Sequence, residues 1–383
     1  EDKMVKGAKR EHRSVLEIAK QYTEAFFEDF QKLNMKMPDV VAPATHYIDD
    51  YIRVIQKLLD KGYAYQSNGN IYFDITKLDD YYALTNHKED EMVVGVREGV
   101  EEDAGKRNQG DFVLWFTKSK FDDQELKWDS PWGVGYPGWH LECSCISMKY
   151  LGEHLDIHCG GVDNIFPHHT NEIAQSEAYL GHKWCSYWFH VEHLMIGKAK
   201  MSKSSGAFLS LSLLKEKGYL PLSYRYFCLG SHYRKQLEFS WESLDGAQKA
   251  YKKLKSKVLA LNSDGDVQED EVHKYQSMFV DAIDRDLNTS MMLTGLYDVL
   301  KDEKLNDATK LYLVKDFDQV LGLHLTIKEQ EEVLDDVIMQ KIEMRNRAKK
   351  EKNYALADQI REELLKMGVR LIDERDGTKI ERI

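Results

Sequence analysis

Apolar residues recur at three- and four-residue spacing through two stretches near the start of the chain, "SVLEIAKQYTEAFFEDFQKL" and "THYIDDYIRVIQKLLDKG". This spacing predicts helices over most of residues 11–62, separated by Pro38 and Pro43 and closed by Gly62. "YAYQSNGNIYFDI" then reads as a hairpin, because aromatic and β-branched residues flank the turn signal Asn68-Gly69. Residues 76–110 are polar and irregular and read as an inserted module. From "DFVLWF" onward, short apolar strands ("LDIH", "WFHVEHLMI") alternate with helices ("GWHLECSCISMKYLG", "HTNEIAQSEAYLG"), which predicts a parallel α/β layer. After residue 240 strand signals nearly vanish, and "FVDAIDRDLNTSMMLTGLYDVLKD" with "ATKLYLVKDFDQVLG" predicts a helical bundle. "NYALADQIREELLKMGVRLIDERDGTKIERI" adds one helix and a short hairpin.

Bulk properties narrow the class. A chain of 383 residues suits two to three domains. No apolar run approaches the ~18 residues of a membrane span. The five cysteines, an odd number clustered in the middle third, argue against a secreted disulfide framework and for a reducing compartment. Net charge is −12, yet "AQKAYKKLKSK" (247–257) and "KIEMRNRAKKEKN" (341–353) are strongly basic. Either alone suits a solvated helix face; two on one acidic chain point to an anionic polymer as partner. The charged start, "EDKMVKGAKREHRSV", reads as mid-domain, so N-terminal sequence is expected to be missing.

Candidate chemistry concentrates between residues 139 and 206. Pro167 suits the first turn of a helix, from which His168 and Glu172, one turn apart, project on one face. With Cys143 they offer the nitrogen, oxygen and sulfur donors that zinc accepts. The same residues also fit a surface hydrogen bond and an inert core cysteine. His158 closes a strand, and Gly160-Gly161 lets the backbone bend away, so His158 and Asp163 would face the crevice where α/β sheets bind ligands. Asp163 suits ribose hydroxyls, although a plain strand–helix connection fits too. "IGKAKMSKSSG" (196–206) is small and polar, and reads either as a solvated loop or as a segment closing on phosphates. In the second case Lys200 and Lys203 neutralise a departing pyrophosphate.

The string Lys200-Met201-Ser202-Lys203-Ser204, with "PGWHLECS" (137–144), "FPHHTNEIAQSEA" (166–178), "GSHYRKQLEFSWESL" (230–244) and "YALADQIREELLKMGV" (354–369), resembles the cysteinyl-tRNA synthetases, a class I aminoacyl-tRNA synthetase family, over essentially the whole chain. The resemblance implies an α/β Rossmann-type catalytic domain with a connective insertion, followed by an α-helical bundle and a small C-terminal anticodon-binding domain. On that pattern 1–25 ends the first Rossmann half and 26–125 is the insertion. The second half, with the zinc site, spans 126–200; the lysine loop and stem-contact region span 201–250; the bundle spans 251–330; the anticodon-binding domain spans 331–383. It implies one Zn2+ held by Cys143, His168 and Glu172, and an amino-acid pocket formed by Trp139 and His158. Gly160, Gly161 and Asp163 would bind ATP, and Lys200, Lys203 and His158 form the implied catalytic set. Lys349, Asp358 and Asp373 match anticodon contacts.

The implied reaction is ATP-dependent ligation of L-cysteine to tRNA(Cys) through cysteinyl-adenylate, with Mg2+ on the ATP. The expected protein is a cytoplasmic monomer that touches no membrane. The sequence departs from the family pattern in lacking the His-Ile-Gly-His phosphate motif and a fourth zinc ligand, a cysteine near the first strand. Both would lie upstream of residue 1, so the sequence as read is expected to hold part of the active site. Tyr136 stands where arginine is usual and Phe116 where lysine is common, which puts local substrate or acceptor-end contacts in question. Two rivals stay open: an ATP-dependent ligase joining cysteine to a small-molecule amine, and a non-catalytic zinc- and RNA-binding fragment.

Overall fold

The computed structural model describes residues 3–85, 105–119, 125–197, 199–200, 209–328, 336–351, 353–367, 369–374 and 377–382. The chain divides into two units, Glu1–Leu325 and Thr326–Ile383. Among the described residues no helix is long and apolar enough to cross a membrane.

The first unit opens with α1 (Lys3–Glu11) and α2 (Val15–Lys32). Ser14 starts α2 through a reciprocal cap: Glu17 N–H donates to Ser14 Oγ at 3.2 Å, and Ser14 N–H donates to Glu17 Oε2 at 2.9 Å. The predicted third helix is α3 (Ile48–Asp60). Next, β1 (Ala64–Ser67) and β2 (Asn70–Phe73) form the predicted hairpin, with Asn68 (φ 50°) and Gly69 (φ 97°) both left-handed in the tight turn.

Strands β3 (Phe112–Phe116) and β4 (Tyr136–Pro137) complete a four-stranded antiparallel sheet in the order β1-β2-β3-β4. This corrects the reading of "DFVLWF" as the start of the parallel layer. The buried Asp111 explains the pairing: its carboxylate accepts from Tyr65 Oη (2.7 Å) and from the Ile75 backbone (3.1 Å), anchoring β3 to the hairpin. Tyr51, Ile55, Leu58, Phe73, Leu114 and Trp115 form the core beneath this sheet, which continues into Leu141 and Cys145. Of the polar module predicted at 76–110, residues 86–104 lie outside the described residues.

The predicted parallel unit follows: α4 (Trp139–Leu151), β5 (Leu155–Gly161), α5 (Thr170–Leu180) and β6 (Cys185–Val191). Strands β5 and β6 pair in parallel from Leu155↔Cys185 to Gly161↔Val191. The run "WFHVEHLMI", read as one strand, is two. After β6 the chain turns at Glu192-His193 into β7 (Leu194–Ile196), which joins β8 (Ala199–Lys200) and β9 (Leu237–Phe239) in a separate sheet. Tyr233 O accepts from Glu192 N–H (2.9 Å) and His193 O accepts from Leu237 N–H (3.2 Å), which fixes that corner.

Helices α6 (Leu211–Glu216) and α7 (Pro221–Leu229) lead into a bundle of α8 (Trp241–Leu259), α9 (Glu269–Asp284), α10 (Thr289–Lys301) and α11 (Asp307–Leu321). Tyr251, Phe279, Leu296 and Phe317 are fully or almost fully buried at its centre. Arg225 on α7 donates to the carbonyls of Leu321 (2.7 Å), Leu33 and Asn34 (both 3.0 Å), joining the ends of α11 and α2.

The second unit contains α12 (Asp336–Lys350), α13 (Tyr354–Lys366), and the hairpin of β10 (Val369–Glu374) with β11 (Gly377–Arg382). Ile342, Ile360, Leu364, Val369 and Leu371 make its own small core.

Candidate metal centre and nucleotide crevice

Helices α4 and α5 pack side by side, and the wide helical turn before α5 (Ile165–His169) lies against α4 as well. Pro167 belongs to this turn, after a cis Phe166–Pro167 bond, and not to the first turn of α5 as expected. His168 and Glu172 nevertheless meet as their spacing predicts, with His168 Nε2 3.1 Å from Glu172 Oε1. Cys143 joins them from α4, and the three donor atoms lie within 4.8 Å of one another.

Glu172 is completely buried, and its Oε1 lies 3.1 Å from His168 Nε2 without a hydrogen bond to satisfy it. A buried, ionised oxygen left in this way is costly unless a cation meets it. Burial opposes ionisation of Glu172, but the hydrogen bond from His158 and the adjacent His168 ring hold its carboxyl below the usual range. Burial, with Glu172 and Glu142 nearby, pushes the Cys143 thiol up to about 12. It is therefore neutral at pH 7 until a metal acidifies it. One sulfur, one imidazole and one carboxylate with an unsatisfied oxygen fit zinc.

Around this trio lies a shell of histidines. His158 Nε2 donates to Glu172 Oε2 at 2.9 Å. His169 Nδ1 and His190 Nε2 are 2.8 Å apart, and burial drops the His169 pKa to about 4. His140 on α4 is buried, donates from Nδ1 to Gln175 Oε1 (2.7 Å), and is held neutral by burial with a pKa of about 4. Gln175 in turn donates to Ser144 Oγ (2.7 Å), and Ser176 Oγ donates to the same oxygen (2.8 Å), locking α4 to α5. Sequence reading missed His140, His169, His190 and Gln175; the adjacent pair His168-His169 was the available signal.

The other predicted residues separate by place. Trp139 is half exposed and lays its indole over His168, with ring centroids 4.0 Å apart. His158 does not close its strand. Strand β5 runs on through Gly160 and Gly161, so the two glycines form no turn. Gly160 is required by close approach instead: a Cβ there would sit 2.6 Å from His169 Cε1. Asp163 is exposed in the short helical turn Val162–Asn164 just past the carboxyl end of β5. Lys200 ends β8 opposite Met195, while Lys203 lies outside the described residues. In the second unit Lys349 is half-buried on α12, Asp358 is exposed on α13, and Asp373 pairs with Thr378 on β10. Phe116 and Tyr136 pair directly across β3 and β4.

The profile of the family described as "tRNA synthetases class I (C) catalytic domain" matches residues 1–249. By fold, the chain is also similar to a Mycobacterium tuberculosis methionyl-tRNA synthetase bound by methionyl-adenylate. That likeness has a TM-score of 0.54 and 14% identity, covering 86% of this chain and 76% of the other. The class is thus that of the class I tRNA synthetases. Within it, the chain is 43% identical to a cysteine–tRNA ligase of Treponema denticola, covering 99% of this chain and 82% of the relative. It is 41% identical to that of Borreliella burgdorferi, covering 100% and 83%. The chain belongs to the cysteine–tRNA ligase family of class I tRNA synthetases, a family of enzymes.

Proposed function

We propose that this protein joins L-cysteine to tRNA(Cys) in two steps, using ATP, and that it selects its amino acid through a zinc ion held by Cys143, His168 and Glu172. The meeting of these three donors, with one oxygen of the buried Glu172 left without a hydrogen bond, carries the reading. When bound, zinc supplies a soft Lewis acid that favours a thiol over the hydroxyl of the near-isosteric serine.

The chain's own side chains have the remaining tasks. Trp139 and His158 wall the amino-acid pocket. Asp163, with the backbone at Gly160 and Gly161, holds the adenosine. In the first step a carboxylate oxygen of cysteine attacks the α-phosphorus of Mg2+-bound ATP, and the bond to pyrophosphate breaks. Lys200 and Lys203 neutralise charge on that leaving group, so positioning and electrostatics carry the rate. In the second step a ribose hydroxyl at the end of the tRNA attacks the carbonyl of cysteinyl-adenylate and gives up its proton, while the bond between the acyl group and AMP breaks and AMP leaves. Lys349, Asp358 and Asp373 read the anticodon from the C-terminal unit. We place the enzyme in the cytoplasm as a monomer.

Cysteine-dependent exchange of pyrophosphate into ATP, and charging of a tRNA(Cys) transcript, test the reading. Exchange should be absent with serine. Exchange without tRNA charging would redirect the reading to another acceptor.

A further inference from the structure

Besides walling the proposed amino-acid pocket, His158 lies next to the three proposed ligands, and of these it hydrogen-bonds to Glu172. We infer that His158 is a positioning residue which occupies one oxygen of Glu172, so that this carboxylate offers the metal a single oxygen and leaves room for the substrate thiol. The inference rests on the zinc reading and deepens it.

A carboxylate oxygen can only accept, so at 2.9 Å the Nε2 of His158 carries the hydrogen and donates to Oε2. Oε1 is the oxygen left without a hydrogen-bond partner, and it is the one 3.1 Å from His168 Nε2. The two oxygens of one buried group thus have separate assignments. His158 is itself held firmly. It sits mid-strand in β5 opposite Trp188 on β6, and its ring packs at 4.9 Å from Trp188, 4.7 Å from His169 and 5.8 Å from Trp184. A histidine so confined acts as a fixed donor. Without it Glu172 could close both oxygens on the ion and take up a coordination position.

His158, His169 and Glu172 also bring three donor atoms within 4.8 Å and could be read as a second metal site. Their contacts favour hydrogen bonding. His169 Nε2 is 4.0 Å from Glu172 Oε1, and its Nδ1 is already joined to His190.

Cobalt-substituted enzyme gives a readout separate from turnover, because a thiolate bound to Co2+ adds near-ultraviolet charge-transfer absorption. The wild type should bind one Co2+ per chain and gain further absorption with L-cysteine but not L-serine. His158→Ala should keep one Co2+ while its apparent cysteine affinity drops about 10–100-fold, the usual cost of losing an outer hydrogen-bond partner. His158→Gln, whose amide N–H reaches the same oxygen, should restore wild-type affinity, and the shorter His158→Asn should not.

An unchanged cysteine response in His158→Ala would overturn the inference. So would two Co2+ in the wild type falling to one in the variant, because His158 would then be a ligand; both results leave the zinc reading intact. If His158→Ala loses Co2+ altogether, His158→Gln decides: restored binding supports the inference and failure overturns it. A wild type whose Co2+ spectrum ignores cysteine sinks the zinc reading and this inference together.

Discussion

Phe116 and Tyr136 stack face to face across the β3–β4 ladder, with ring centroids 5.0 Å apart and planes 18° from parallel. The resemblance leads one to expect two cations at these positions, which as direct cross-strand neighbours would repel. Here an aromatic pair takes their place. Phe116→Ala and Tyr136→Ala should each destabilise the protein by about 1 kcal/mol or more, with a coupling of about 0.5–1.5 kcal/mol in a double-mutant cycle. Denaturant melts of the two single variants and the double variant measure it; strict additivity would show that the rings do not stabilise one another.

Loss of the metal should act on one substrate. Cys143→Ser or His168→Ala is expected to abolish zinc binding and to raise KM for cysteine far more than KM for ATP. Zinc content by elemental analysis, together with exchange kinetics, checks both parts. Normal cysteine affinity in a zinc-free variant would refute the assigned role.

Burial holds His140 neutral, with a pKa of about 4 against an ordinary 6.5. Because the folded value is the lower one, the unfolded chain takes up this proton first as pH falls. The stability in question is complete above about pH 6.5 and is lost progressively toward pH 4, to the order of 3 kcal/mol from this group. Urea melts at several pH values should show this slope, and His140→Gln should flatten it. A variant with the wild-type slope would place the proton uptake elsewhere.

Gly322 has φ 65°, and a Cβ there would lie 2.6 Å from Arg225 Nη2. Gly322→Ala should therefore cost about 1–3 kcal/mol, combining left-handed strain with displacement of the guanidinium. Arg225→Lys should cost a comparable amount, because a single ammonium cannot serve carbonyls at the ends of both α2 and α11. Thermal melts give both values. Together the two changes should cost less than their sum, since the first already dislodges the arginine.

Features specified by neighbouring residues could be read directly from the chain. The Asn68-Gly69 turn is local chemistry and occurs where expected; the Ser14–Glu17 cap is equally local, but sequence reading missed it. His168 and Glu172 were legible because a single helical turn brings them together. Cys143 was legible through its motif. Sequence patterning failed where partners are distant. Whether Phe112–Phe116 joins a parallel or an antiparallel sheet depends on Asp111 finding Tyr65, and apolar alternation carries no record of that bond. Likewise His190 looks like any polar residue in a strand until β5 and β6 pair and His169 arrives beside it. Gly160 was read as a turn, whereas it stays within β5 and makes space for an imidazole.

The corner at Glu192-His193 joins β6 to β7, so one short piece of backbone has His190 at its metal-side end and leads toward Lys200 at the other. Backbone hydrogen bonds to Tyr233 and from Leu237 hold this corner against the segment that leads into β9. His190 and β7 therefore share one anchor, and a substitution that loosens the 233–237 segment would be felt on both sides of the corner.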